Sequence, residues 1–329
     1  MPGIVPSPRW GLDCGPVCDC LLYELPYRVY LYTGDPSMLI EGREQFKSYL
    51  KGFDQRLEDG TYLWLADWMG HDNSKRIPQR FVLDFYRIKS LRVTLLAEQL
   101  ANGADVKKWS DQLKLREKEF MDTYLDENGY STIEEQTSLA MQICFDLYRD
   151  FDKLKEQLKR TVERDEFRLT CGMVGVQYLY GALSRCGLQD YAYKIITESD
   201  PGYRLWHSHG ATTLWERWDG VQIHSHNHHM FSNILGWFYT GLLGIAPAQS
   251  NPGFEKIELS PAFVSDMSFC YGWEDTVRGR IEAKWERKDG EIEYTVTVPE
   301  TVSASYQGYD LTTGTNVFRI CGETVQKIL

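Results

Sequence analysis

Between residue 20 and about residue 245 the apolar positions repeat with the spacing of one helical face, and the punctuation between them predicts helix after helix. Residues 20–32 and 37–57 form the first antiparallel pair. They part at Thr33-Gly34-Asp35-Pro36, where Gly ends one helix and Asp-Pro opens the next. Residues 59–78, rich in Gly, Asp, Asn, Ser and Pro yet carrying Trp64 and Trp68, read as a loop with a task. Further pairs are predicted over 79–100 with 106–125, 132–148 with 151–164, and 172–185 with 190–197. A Gly-tolerant apolar helix over 228–243 closes the series at Gly244. Beyond Pro252-Gly253 the period falls to two. FEKIELSP (254–261), RGRIEAKWERKDGEIEYTVTVP (278–299) and VFRICGETVQKIL (317–329) alternate as strands, and Lys288-Asp289-Gly290 is a hairpin turn. The fold class is therefore mainly α, with paired helices over 1–248 and a small antiparallel β domain over 249–329.

At 329 residues the chain can bury a large core and still hold a second small domain. The formal net charge of -11, with no basic arm or Lys/Arg cluster, argues against a nucleic-acid partner. The N-terminus lacks a basic segment followed by an apolar one, and no window nears the apolar length of a membrane span. The chain as given thus reads as soluble and cytoplasmic, with no membrane partner. Of 8 cysteines, Cys14, Cys18 and Cys20 sit close together, but no second paired knuckle completes a zinc site, so reduced and mostly buried thiols are expected.

Chemistry concentrates in GATTLWERWDG (210–220) and in the HSHNHH run (224–229) that follows. Glu216 stands between Trp215 and Trp218, beside Arg217 and Asp219, and most of the histidines fall between His207 and His229. Indole faces stack on the C–H faces of pyranose rings, and apolar walls tune a carboxylate for proton transfer. A spacing of three also suits core packing for the two tryptophans. His207, His209, Glu216 and His228 offer nitrogen and oxygen ligands, but neither a helix-face His pair nor paired knuckles occurs, so no metal and no cofactor is expected.

These motifs carry a resemblance. GATTLWERWDG, then SHNHHMFSNILGWFYTGLLGIAP (225–247), then NPGFEKIELSP (251–261) resemble the closing section of the α-L-rhamnosidase family of glycoside hydrolases. LPYRVYLYTGD (25–35), LADW (65–68), EQTSLA (135–140) and LTCGMVG (169–175) follow the family's order. The resemblance implies an (α/α)6 toroid followed by a β-sandwich, and a rhamnose-containing oligosaccharide or glycoside as partner. It implies Glu216 as the general base of an inverting hydrolysis, with Asn227 and His228 of the Ser-x-Asn-His match at the sugar. It also implies Asp67 as a hydroxyl acceptor and Trp68 as a stacking wall, with a loop aspartate capping a helix as the alternative reading of Asp67. Trp10, Trp64, Trp215 and Trp218 are candidates for lining the same cleft.

The chain departs from the family pattern in three ways. Imidazoles replace an aromatic on either side of Asn227-His228, and Cys171 stands where Thr is usual. The family's acid-bearing segment lies upstream of the region matched by residues 1–35, and the one substitute in sequence is Gly272-Trp273-Glu274-Asp275 in the β domain. The chain is accordingly expected to hold about five of six hairpins, to expose an apolar flank open to self-association, and to be weak or inactive alone. A non-catalytic deoxyhexose-binding or assembly protein is the alternative.

Overall fold

A computed structural model describes residues 15–60, 66–69, 77–222 and 224–329. Trp10 and Trp64 lie outside the described residues. The helices are α1 (Pro16–Asp19), α2 (Leu21–Thr33), α3 (Ser37–Asp59), α4 (Gln79–Leu100), α5 (Val106–Tyr124), α6 (Gln136–Cys144), α7 (Phe151–Arg164), α8 (Val176–Arg185), α9 (Gln189–Glu198), α10 (Tyr203–Ser208) and α11 (Asn233–Trp237). The chain divides into two compact units. The first takes in Met1–Arg28, Pro36–Ala182 and Ile195–Phe231, and the second Val29–Asp35, Leu183–Lys194 and Ser232–Leu329.

In the first unit, α3, α4 and α5 pack in succession and α6 packs on α7. On α3 the stripe Phe46, Leu50 and Phe53 is buried, and Leu50 meets Leu91 of α4 and Trp109 of α5. Phe81, Phe120 and Tyr124 close the α4–α5 seam with ring centroids 4.7–5.2 Å apart. Asp150 caps α7, its carboxylate accepting from the N–H groups of Asp152 and Lys153. At the centre, Lys89 of α4 is buried among Tyr86, Phe145 and Tyr178, each ring centroid within 5.9 Å of its ammonium. Its Nζ lies 2.9 Å from Glu24 Oε2 and donates to Tyr178 Oη at 3.2 Å. Burial pushes the Glu24 carboxyl up, but Lys89 and Arg28 override it and hold the group below its ordinary value.

Three predicted helices are shorter than expected: that over 172–185 begins only at Val176, and the other two are cut short for local reasons. Over 132–148 only Gln136–Cys144 is helical. Ser131 instead bridges Leu125 and donates its N–H to Gln157 at 2.7 Å, Glu135 is extended, and Asp146 at φ 52 ends the run. Over 228–243 a 3-10 turn (His229–Phe231), α11 and a widened turn (Phe238–Leu242) replace one helix. A side chain at Gly241 would collide with the Trp237 indole at 2.4 Å, so within the widened turn the glycine leaves room for that ring.

The second unit contains eight strands in two sheets. One has order β1-β5-β6 from β1 (Lys256–Glu258), β5 (Ser303–Tyr306) and β6 (Tyr309–Asp310). The other has order β2-β3-β4-β7-β8 from β2 (Phe269–Thr276), β3 (Gly279–Lys288), β4 (Glu291–Val298), β7 (Gly314–Cys321) and β8 (Thr324–Lys327). The Asp289-Gly290 turn has positive φ at both positions, 51° and 85°, matching the twist of the hairpin it joins. The larger sheet is antiparallel, as expected, whereas β1 and β5 run parallel because a long excursion separates them. Trp285, Tyr294, Val296, Phe318 and Ile281 form the core with Ile257 and Ala304 of the smaller sheet. Helical residues complete this unit. Trp285 Nε1 donates to the Leu242 carbonyl at 2.9 Å, Gly253 N–H to Leu31 at 2.8 Å, and Ser265 is held by Asp190 through two bonds of 2.7 Å. No helix among the described residues is long and apolar enough to cross a membrane.

Candidate active site

Glu216 lies on an irregular strap of bends and turns that follows α10, and the 225–228 segment is zipped alongside it. The Glu216 N–H donates to Ser225 O at 2.9 Å, the His228 N–H to Leu214 O at 2.8 Å, and the Thr213 hydroxyl to His226 O. Ser225 returns its N–H to Glu216 Oε2 at 3.0 Å. Oε1 takes no hydrogen bond from any described residue. One carboxylate oxygen is thereby fixed and the other remains open, on a half-buried side chain. Arg217 is a fork onto Asp219, at 2.9 and 3.3 Å, which draws both charges into one local pair.

The tryptophans flanking Glu216 face inward. Trp218 is 2% exposed, stacked on Phe231 at 3.8 Å and on Trp206 at 4.9 Å, and its Nε1 donates to the Cys171 carbonyl at 3.0 Å. Trp215 is 5% exposed and stacks on the His226 ring at 4.1 Å and 13°. Both are therefore packing residues that hold the strap, and the stacking role expected for them does not fit their burial. The strap is not helical, so the core packing that the sequence also allowed comes from ring stacking and hydrogen bonding to neighbouring segments and not from a helical face. His226, which replaces the family's aromatic, fills an aromatic's place, with Nε2 bonded to Gly220 O at 2.7 Å.

Asp67 occupies the opposite situation from an exposed hydroxyl acceptor. It is 2% exposed, and Oδ1 accepts from the N–H groups of Val174 and Gly175, both at 2.9 Å. Oδ2 accepts from Gly172 N–H at 3.0 Å and from the Thr137 hydroxyl. Four donors fill the lone-pair positions of the carboxylate, so no acceptor site is left for a sugar. These N–H groups lead directly into α8, which makes Asp67 a cap contributed from a distant loop. Burial pushes the carboxyl up, opposed by the Thr137 and backbone donors. Trp68 beside it is 40% exposed, and its carbonyl accepts from Met173 N–H at 2.8 Å, so the same knot presents the indole outward. Cys171 is fully buried, and burial raises its thiol well above the ordinary value.

Asn227 is exposed and His228 half-buried, and neither side chain takes a hydrogen bond from a described residue. The His228 and His229 rings lie parallel at 6.1 Å. Among the described residues no group of three or more His, Cys, Asp or Glu is placed to hold a metal. Glu274 and Asp275 lie on β2, where Asp275 is paired with Arg280 at 2.7 Å. Sequence reasoning misses Trp206 and Thr137. Trp206 donates Nε1 to the carbonyls of Arg217 and Trp218, at 3.0 and 3.1 Å, and so clamps the Glu216 strap from beneath. The signal available for it was a tryptophan in the short YRLWHS helix just ahead of the Glu216 motif.

Comparison with known proteins identifies the family. A curated alpha-L-rhamnosidase of Alteromonas sp. (strain LOR) is 27% identical over 307 residues, 86% of this chain and 33% of that protein. The chain spans about a third of the length of the curated relatives it matches. The structure of native alpha-L-rhamnosidase from Aspergillus terreus superposes with a TM-score of 0.85 at 21% identity, covering 98% of this chain and 41% of that one. Streptomyces avermitilis alpha-L-rhamnosidase, complexed with L-rhamnose, gives 0.78 at 18% identity, covering 91% and 32%. Both likenesses establish the fold. Residues 1–242 match the family model of the bacterial alpha-L-rhamnosidase 6 hairpin glycosidase domain, and residues 244–307 that of the bacterial alpha-L-rhamnosidase C-terminal domain. A six-hairpin glycosidase domain followed by its C-terminal sheet domain places this chain in the bacterial α-L-rhamnosidase family.

Proposed function

We propose that the chain carries the water-activating side of an inverting α-L-rhamnosidase, with Glu216 as general base toward a terminal α-L-rhamnoside. The observation that carries this reading is the asymmetric hold on Glu216. Ser225 N–H fixes Oε2 while Oε1 has no partner among the described residues, the arrangement a base needs to orient one water. Trp68, Asn227 and His228 supply an exposed indole face, an amide and an imidazole suited to a pyranose, and the Streptomyces avermitilis relative is described with L-rhamnose bound.

An inverting hydrolysis also uses a proton donor roughly 6.5–9.5 Å from the base. Asp219 is committed to Arg217. A test with an aryl α-L-rhamnoside isolates the base, because an activated phenol leaves with little protonation. Nitrophenol release by the purified chain is expected, falling about 10²–10⁴-fold in Glu216→Gln with the melting temperature unchanged. Equal rates in both proteins sink the assignment. Rhamnose binding without turnover in either favours the non-catalytic alternative.

A further inference from the structure

In β2 the outward positions are Phe269, Tyr271 and Trp273, exposed by 61%, 54% and 41%. Alternation makes these three consecutive residues on one face of an edge strand. Outward positions on an exposed edge are ordinarily charged, since unprotected aromatic rings there invite aggregation. Across the strand pair each ring has a charged neighbour: Glu286 opposite Phe269, Lys284 opposite Tyr271, and Glu282 opposite Trp273. A row of aromatic faces thus runs beside a row of hydrogen-bonding groups.

That pairing selects the occupant. A protein partner packing a hydrophobic face would meet a charged row one strand away, at a desolvation cost. A saccharide presents C–H faces and hydroxyl edges side by side, and matches both rows at once. Phe269, Tyr271, Lys284 and Glu286 line a shallow, open depression of about 440 Å³. The Tyr271 and Trp273 rings are 5.8 Å apart and tilted by 50°, a stepped surface that fits one soluble chain rather than a flat crystal face. Arg280, anchored by Asp275, sits 5.0 Å over the Trp273 ring and holds it in place.

We propose that the outward face of β2 is a second, non-catalytic saccharide-binding strip that takes a single rhamnose-bearing glycan chain. The choice of glycan rests on the functional reading above; the strip itself does not.

Affinity electrophoresis of the full chain through gels containing a soluble rhamnose-rich polysaccharide, with dextran gels as control, tests this. Retardation in the rhamnose-rich gel alone is expected. It should weaken at least tenfold in Phe269→Ala/Tyr271→Ala/Trp273→Ala, persist in Glu216→Gln, and weaken in part in Lys284→Ala, with melting temperatures unchanged. The triple variant should turn over the small aryl rhamnoside as the parent does. An unretarded parent, equal retardation in dextran, or full retardation of the triple variant overturns the proposal. So does a dimer in light scattering that the triple variant abolishes, since the face would then bind a second copy. Should the triple variant melt early, Trp273→Ala alone decides by the same readout. Retardation without turnover counts against the catalytic reading only, and turnover without retardation against this one only.

Discussion

The indole N–H of Trp218 reaches the backbone carbonyl of Cys171 at 3.0 Å. This bond ties the Glu216 strap to the loop gathered by Asp67. Trp218→Ala should cost about 3–5 kcal/mol, the range for emptying a buried indole site. Trp218→Phe keeps ring packing but orphans the Cys171 carbonyl, and should cost about 1–3 kcal/mol. Urea titration followed by circular dichroism measures both; a phenylalanine variant as stable as the parent would contradict this tie.

Asp67→Asn presents an amide N–H₂ where N–H donors converge. About 1–3 kcal/mol of stability should be lost, and Trp68 fluorescence should shift as the loop loosens. If Asp67 contacted sugar instead, stability would hold and KM alone would rise.

His226→Ala removes the ring stacked on Trp215, an interaction worth about 0.5–1.5 kcal/mol. His226→Phe should restore it. The pair distinguishes packing from imidazole chemistry, because a catalytic or ligand role would leave the phenylalanine variant as impaired as the alanine one in aryl-rhamnoside kinetics.

The Glu24 carboxyl titrates below its unfolded value. Its contribution to stability is therefore present above about pH 4.3 and drains away as the pH falls toward the folded value. Glu24→Gln should be less stable at neutral pH and should lose that part of the acid slope. Thermal melts from pH 7 to pH 3 would show it, and parallel curves for the two proteins would refute it. Lys89→Met, which leaves Glu24 with Arg28 as its cationic partner, should also destabilise the fold in the same melts.

Gly244 adopts φ +71, and a Cβ there would stand 2.3 Å from Pro261 N and 2.5 Å from the Ser260 carbonyl carbon. Backbone cannot yield as a side-chain tip can. Gly244→Ala should therefore destabilise by roughly 2–4 kcal/mol, read as an early calorimetric transition, whereas Gly236→Ala meets nothing within 4 Å and serves as the control.

Much of the helical order was legible because α3, α4, α5 and α7 carry clear apolar stripes between strong punctuation, and their ends agree to within a residue or two. What tertiary context decides was not. The apolar run over 228–243 gave no sign that the Trp237 ring needs room beside Gly241. Strand β2 escaped notice because aromatic residues occupy its outward positions, which hides the polar half of the alternation. At the site, the Glu216 motif stood out by residue type alone, but a sequence does not say which way an indole points. Trp215 and Trp218 turn inward and Trp68 outward. Nor does it say how many donors converge on a carboxylate, which is what separates Asp67 from Glu216.

The second compact unit is assembled from Val29–Asp35, Leu183–Lys194 and Ser232–Leu329. Its parts are thus separated along the gene by most of the helical chain. Swapping the C-terminal sheet between homologues by a single crossover would leave Asp190 behind, and with it the side chain that holds Ser265 through two bonds. A chimera that keeps this unit whole exchanges three segments, and such interleaving ties the inheritance of the sheet to that of the helices.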